Sequence, residues 1–284
     1  MLDVHLLKQP DPLPTNILIM NFNGHTLTDS LSGELIGNQV YFLDEVDSTN
    51  VYATALAQKG APEGAVIVAD CQTKGKGRLK NRVWQSPQQK NLYTSIVLRP
   101  PVEPSVAPQL TLTAGVAVAE HLTQYCPEAV TLKWPNDVQI GGKKICGILT
   151  EMRTTGGEID FVIMGIGLNI NMRKKDFQEE IRESSTSLRE ETGNDIPRVN
   201  FAVNLYKSLE KWYEKYKREG FTSIKSAWLE YSGILDRNIR VNCKEDVQEG
   251  KVLGIDDYGA LLLFDERKKT RRILAGDISL VGNK

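Results

Sequence analysis

Residues 133–151 read KWPNDVQIGGKKICGILTE. Pro135 removes a backbone donor and pushes the residue before it towards an extended conformation, so KWPND cannot be a ladder interior. Thr131-Leu132 before it and Val138-Gln139-Ile140 after it are strand-like. Gly141-Gly142 has the form of a two-residue hairpin loop, leading into a further strand over 144–152. The stretch is therefore a sharply bent piece of sheet carrying Lys133, Asp137 and Lys144 at set positions. Two lysines and a carboxylate on a stiff element suit the grip of a small molecule that bears a phosphate or carboxylate.

Working upstream, 40–43 is a strand candidate, and Asp47-Ser48-Thr49-Asn50 is a helix N-cap opening a helix over 51–59 that Gly60 ends. A continuous apolar strand at 65–69 runs into a basic, glycine-rich loop over 72–90. Residues 91–98 alternate as a strand covered on both faces. A long, small-residue helix follows over 106–124. Downstream, a turn at 154–157 leads into a strand over 159–170, and the charged stretch 173–195 holds two short helical pieces. Pro197 opens an amphipathic helix whose Ala202, Tyr206, Leu209, Tyr213 and Tyr216 share one face. A helix over 221–231 comes next, and from Asn238 only short strands and turns remain, with 256–259 as the clearest turn. The fold class expected is α+β, a mixed sheet flanked by helices and followed by a small C-terminal β-barrel. The expected division is an N-terminal arm over 1–37, weakly helical at 27–36, a main domain over 38–234 and the barrel over 235–284.

The chain has 284 residues, 40% hydrophobic and 25% charged, with 35 basic against 36 acidic side chains. A net charge of −1 provides no global field to draw the protein to nucleic acid or membrane. No apolar run approaches the ~20 residues of a transmembrane helix, and the N-terminus is a poor signal peptide. Cys71, Cys126, Cys146 and Cys243 form no C-x-x-C, and are expected to be buried thiols of a cytoplasmic protein. Only three histidines are present, which argues against a histidine metal site or a catalytic triad.

The loop Gln72-Thr-Lys-Gly-Lys-Gly-Arg-Leu-Lys-Asn-Arg-Val-Trp84 follows a buried strand. Glycines let backbone amides approach an anion, and Lys74, Lys76, Arg78, Lys80 and Arg82 bring positive charge to the same place. Trp84 offers a flat face for an aromatic base or a lid. A solvated basic surface loop explains the same residues equally well. The spacing fits neither a Walker A loop nor a Rossmann fingerprint. At 165–171, GIGLNIN sets two glycines and two asparagines on a strand, the mark either of close ligand approach or of a simple bulge.

Taken in order, DSTN at 47–50, QTKGKGR at 72–78, WQSP at 84–87, KWPND at 133–137, GGKKICGIL at 141–149 and GIGLN at 165–169 closely resemble the biotin protein ligases. The likeness runs from Gln39 to the terminal RRILAGDISL at 271–280. It implies the class II aminoacyl-tRNA synthetase-like catalytic fold of that family. The implied activity is an ATP-dependent ligase that makes biotinyl-5′-AMP and transfers biotin to a lysine of a biotin carboxyl carrier protein, with Mg²⁺ as activator. Biotin would lie near Ser48, Thr49, Asn50, Gln72, Gly75, Lys76, Gly77, Arg78, Lys144, Gly147 and Leu149. The nucleotide would meet Lys76, Gly77, Arg78, Trp84, Asn136, Gly165, Gly167 and Asn169. Arg78, Lys133, Asp137 and Lys144 would be catalytic, with Asp137 either a base or a loop anchor. Two features depart from the family: Lys76 stands where arginine is common, and the stretch 79–83 is one residue longer before Trp84. Larger family members carry an N-terminal DNA-binding domain. The N-terminal arm over 1–37 leaves no room for one, so no repressor role is expected. The nearest rival is a lipoate ligase or octanoyl transferase on a related fold; a non-catalytic biotin-binding regulator is the rival of another class. A monomer or a homodimer fits the sequence.

Overall fold

The computed structural model describes residues 22–79, 82–243 and 246–281. A first sheet has seven strands: β1 (Val40–Val46), β2 (Val66–Gln72), β3 (Leu92–Leu98), β4 (Val130–Lys133), β5 (Asp137–Ile140), β6 (Lys143–Thr155) and β7 (Glu158–Leu168). Their spatial order is β1-β2-β3-β7-β6-β5-β4, parallel between β1 and β2 and antiparallel elsewhere. Glycines at positive φ close the two consecutive hairpins, Gly141 and Gly142 between β5 and β6, then Gly156 and Gly157 between β6 and β7.

The helices are α1 (Gly24–Ser30), α2 (Thr49–Gln58), α3 (Pro108–Thr123), α4 (Leu188–Thr192), α5 (Arg198–Glu219) and α6 (Phe221–Glu230). Strand alternation gives the sheet two chemically different faces. Val66, Val68, Ile96, Cys146, Ile148, Ile166 and Leu168 join α3 and α5 in the main core. The opposite face carries α2, whose Ala53 and Ala57 pack on Ile67, Val97 and Ile163. On α5, Ala202, Tyr206, Leu209, Tyr213 and Tyr216 are buried as the periodicity requires. The tyrosine hydroxyls find partners: Tyr206 donates to Thr94 Oγ1 at 2.9 Å, Tyr213 to Glu63 Oε1 at 2.6 Å and Tyr216 to Gln109 Oε1 at 2.6 Å.

Three expectations need correction. The C-terminal part is no closed barrel but an open antiparallel sheet of five strands, order β11-β10-β9-β8-β12. These strands are β8 (Asn238–Asn242), β9 (Val247–Ile255), β10 (Leu261–Phe264), β11 (Thr270–Ile273) and β12 (Asp277–Leu280). Its apolar face, with Ile239, Val241, Val252, Leu261 and Ile278, joins the main core under the first sheet's helices and has no need to curl onto itself. Secondly, the end of the expected arm is integral to the fold. Asn23 caps α1, Leu27, Leu31 and Ile36 are buried, and the Ile36 amide donates to Glu210 on α5 at 2.7 Å. Residues 1–21 of that arm lie outside the described residues. Thirdly, only Cys126 and Cys146 are buried; Cys71 and Cys243 are half-buried, and all four are free thiols.

His121 on α3 is 1% exposed and packs against Tyr125 and Phe201, with ring centroids 5.6 and 4.6 Å away. Burial holds its pKa down at about 4. In the unfolded chain the imidazole titrates near ~6.5. Between those values the unfolded state takes up a proton that the folded state refuses, so stability present above ~6.5 is lost as pH falls to ~4. For His121→Leu, urea titrations at pH 7 and pH 4 should show a stability loss smaller than the parent's by about 3 kcal/mol. Equal losses would remove the imidazole as a cause.

Candidate functional site

The floor of the site is the α2 face of β6 and β7. Gly147 stands opposite Gly167 and Leu149 opposite Gly165 in the strand register. Both glycines of GIGLN make room for the protein's own side chains. A Cβ on Gly165 would lie 2.0 Å from Asn50 Oδ1, and one on Gly167 would lie 2.5 Å from the Trp84 indole. The close approach expected on β7 is therefore made by Asn50 and Trp84. Beneath the floor, burial pushes the Cys146 thiol far above its usual range, so it stays protonated and is no nucleophile.

One end of the floor is polar and uncharged. Ser48, Thr49 and Asn50, at the N-terminus of α2, are at most 4% exposed. The Thr49 amide and hydroxyl both donate to Gln72 Oε1, at 2.9 and 3.2 Å, and Gln72 Nε2 donates to Ser86 Oγ at 3.0 Å. Ser95 on β3, fully buried, reaches Thr49 Oγ1 at 2.8 Å and Asn50 Oδ1 at 2.7 Å. Asn50 Nδ2 in turn donates to Glu151 at 2.7 Å and to the Leu149 carbonyl at 3.1 Å. Every member of this network is held by at least one neighbour, which sets the amide orientations.

The glycine-rich loop is a small hairpin that folds back over this floor. Lys76 bridges Val83, the Gly77 amide donates to the Arg82 carbonyl at 2.7 Å, and the Trp84 amide donates to the Gly75 carbonyl at 2.9 Å. Lys80 and Asn81, within the stretch 79–83 expected to be one residue longer, lie outside the described residues. A Cβ on Gly75 would meet the Trp84 carbonyl at 2.4 Å, so the hairpin itself leaves no space for a side chain there. The Trp84 indole rests on Gly147 and Gly167 with Lys144 Nζ 5.5 Å from a ring centroid. Its Nε1 is buried and has no hydrogen-bond partner.

The KWPND residues form the turn between β4 and β5, with Lys133 opposite Asp137. Asn136 is tied to β6 in both directions, Nδ2 to the Ile148 carbonyl and the Ile148 amide to its own carbonyl, each at 2.9 Å. Asp137 Oδ1 lies 2.6 Å from Lys144 Nζ, and both side chains are partly shielded. The Lys144 backbone is clamped by residues 184–186: its amide donates to Ser184 O at 2.8 Å and its carbonyl accepts from Thr186 at 2.9 Å. Asn169 supports that clamp, with its Nδ2 on the Thr186 carbonyl at 3.0 Å.

Two cavities result. The inner one is bordered by Ser48, Thr49, Asn50, Gln72, Lys76, Gly77, Arg78, Gly147, Leu149, Gly165 and Gly167. The outer one takes in Lys133, Asp137 and Asn169. Trp84, Arg78, Asn136 and Lys144 border both. No described residue lining the inner cavity carries a carboxylate, so that cleft runs from a neutral polar end to a cationic one. Among the described residues no cluster of three metal-binding side chains exists. Ser95, Glu151 and Asp277 are site residues that the linear reading missed. Ser95 alone carried a signal, a polar side chain in a strand covered on both faces.

The biotin/lipoate A/B protein ligase family matches residues 42–169, and the biotin protein ligase C-terminal domain matches residues 234–281. The bifunctional ligase/repressor BirA of Bacillus spizizenii is 39% identical over 250 residues, 88% of this chain and 76% of that protein. The biotin–[acetyl-CoA-carboxylase] ligase of Paracoccus denitrificans is 34% identical over 224 residues, 78% of this chain and 92% of that one. The biotin protein ligase of Aquifex aeolicus, solved in complex with biotin and ATP, superposes with a TM-score of 0.74 at 33% identity, covering 86% of this chain and 99% of that one. Identity along most of its length, a shared fold and the two matched domains make the chain a member of the biotin protein ligases, within the biotin/lipoate A/B protein ligase family.

Proposed function

We propose that the protein activates biotin with ATP to biotinyl-5′-AMP and passes the biotinyl group to a lysine of a biotin carboxyl carrier protein. The observation that carries this reading is the polarity of the inner cleft. Its neutral end, built from Ser48, Thr49, Asn50 and Gln72, suits an uncharged ureido ring. Gly147, Leu149 and the Trp84 indole form an apolar stretch of lining that suits an aliphatic chain, and Lys144 and Arg78 supply positive charge for the acid. Lipoate has no hydrogen-bonding head group and would leave the polar end unanswered, which a site built for hydrogen bonds penalises heavily.

In the first step a carboxylate oxygen of biotin attacks the α-phosphorus of ATP, and the bond to the leaving pyrophosphate breaks. Two anions must meet, so the barrier is largely electrostatic. Lys76, Arg78, Lys133 and Lys144 offset the repulsion, and the loss of one well-placed donor typically costs ~2.7–4 kcal/mol in the transition state. Mg²⁺ commonly takes one or two carboxylates together with phosphate oxygens, and would screen the phosphate charge. In the second step the neutral amine of the acceptor lysine attacks the anhydride carbonyl; a C–N bond forms and AMP leaves. Asp137, 2.6 Å from Lys144 Nζ, orients that lysine toward the anhydride and takes the proton of the incoming amine. The glycine-rich hairpin and Trp84 keep water from the adenylate.

Biotin-dependent exchange of pyrophosphate into ATP tests the reading directly. Exchange should appear with biotin and stay at background with lipoate; the reverse pattern would reassign the substrate. Lys144→Ala should weaken the calorimetric affinity for biotin and biotinyl-AMP at least tenfold, about 1.4 kcal/mol, and an unchanged affinity would take Lys144 out of the pocket. Arg78→Gly should release the adenylate early and label lysines of bystander proteins. Labelling as selective as the parent's would mean that the hairpin is not the lid.

A further inference from the structure

The C-terminal sheet touches the glycine-rich hairpin through its Gly276-Asp277 pair. Arg78 Nη2 donates to the Gly276 carbonyl at 2.9 Å and forms an ion pair with the Asp277 carboxylate. Asp277 begins β12 and borders the outer cavity beside Lys133 and Asp137. We propose that Asp277 is a positioning residue that latches the glycine-rich hairpin over the activated acid by holding the Arg78 guanidinium. The proposal rests on the biotin-activating reading above.

A latch needs one fixed side and one side free to move. The fixed side is the C-terminal sheet, which is bonded to the catalytic domain away from the hairpin. Trp134 Nε1 donates to the Gly259 carbonyl at 3.0 Å, and Gln109 Nε2 to the Asp257 carbonyl at 2.7 Å. Asp277 pairs with Asn242 in the ladder, and its neighbour Ile278 is 6% exposed within the shared core. The hairpin is held far more lightly. Among its described residues Leu79 and Val83 are 42% and 75% exposed, and the backbone bonds of Gly75, Gly77, Arg82 and Trp84 stay within the hairpin.

Asp277 and Gly276 engage one guanidinium nitrogen, and arginine carries donors on two more. Arg78 can therefore keep the latch while the rest of the fork meets a phosphate or carboxylate. The side chains of the pair are 25% and 46% exposed, so it adds little to global stability. Its effect should fall on hairpin opening, and thus on how long the adenylate stays bound.

The test uses the full chain loaded with biotin and ATP, then chased with excess unlabelled biotinyl-AMP while loss of the labelled adenylate is followed. Asp277→Asn should speed dissociation about fivefold, the upper end of what one half-exposed ion pair supplies, with an unchanged melting temperature. Asp277→Glu should restore slow release. In an Arg78→Ala background, Asp277→Asn should add nothing, because both changes remove the same contact. Dissociation that is unchanged or slower in Asp277→Asn overturns the latch; slower release would mean that Asp277 competes with the ligand for Arg78. An equal speeding in the Arg78→Ala background also overturns it. A parent that forms no adenylate would instead sink the biotin-activating reading itself.

Discussion

Strands β6 and β7 pair so that Gly147 faces Gly167 and Leu149 faces Gly165, and the geometry of the cleft depends on that register. Side chains alternate with a period of two along a strand, so a slip of one residue would turn Ile148 and Ile166 into the cleft and send the glycines into the core. Burial prevents the slip. Cys146, Ile148, Ile166 and Leu168 are all packed under α3 and α5, and the turn at Gly156 and Gly157 sets the length of the hairpin. The same hydrophobic burial that stabilises the domain therefore clears the floor on which Asn50 and Trp84 lie.

On that floor charge is separated by distance along the chain's own elements. The uncharged groups come from the N-terminus of α2, from Gln72 on β2 and from Ser95 on β3. The cations come from the β5–β6 hairpin and the glycine-rich loop. Polar groups that are already hydrogen-bonded to one another reorganise little when a ligand arrives, which favours a neutral head group of matching shape. The Lys144–Asp137 pair, clamped by residues 184–186, gives the opposite end a charge whose position is defined by backbone bonds on both sides.

The second sheet belongs to the same hydrophobic core as the first. Its turn at Asp256–Gly259 accepts bonds from Trp134 and Gln109, so the tryptophan of KWPND is a structural tie, with a 3% exposed side chain. Trp134 thereby ties the KWPND turn, which borders the outer cavity, to the second sheet. The C-terminal part contributes side chains to the site's border, and is no mere appendage.

The linear text was enough to determine most of the elements, and many of the residues it singled out border the two cavities. Proline in KWPND, paired glycines at each hairpin and the tyrosine stripe of α5 are local signals, because turn geometry and helical period are set within a few residues. For the glycine-rich loop and GIGLN the linear text left close approach open beside an ordinary surface loop and a simple bulge. Tertiary structure alone decided that Asn50 and Trp84 fill those spaces, that Ser95 and Glu151 orient the polar end, and that Asp277 meets Arg78. It also decided that the last strands stay open, since their apolar face finds a ready-made core to cover it. Each of these is a contact between residues far apart in sequence, and no local propensity encodes which distant surface a side chain will meet.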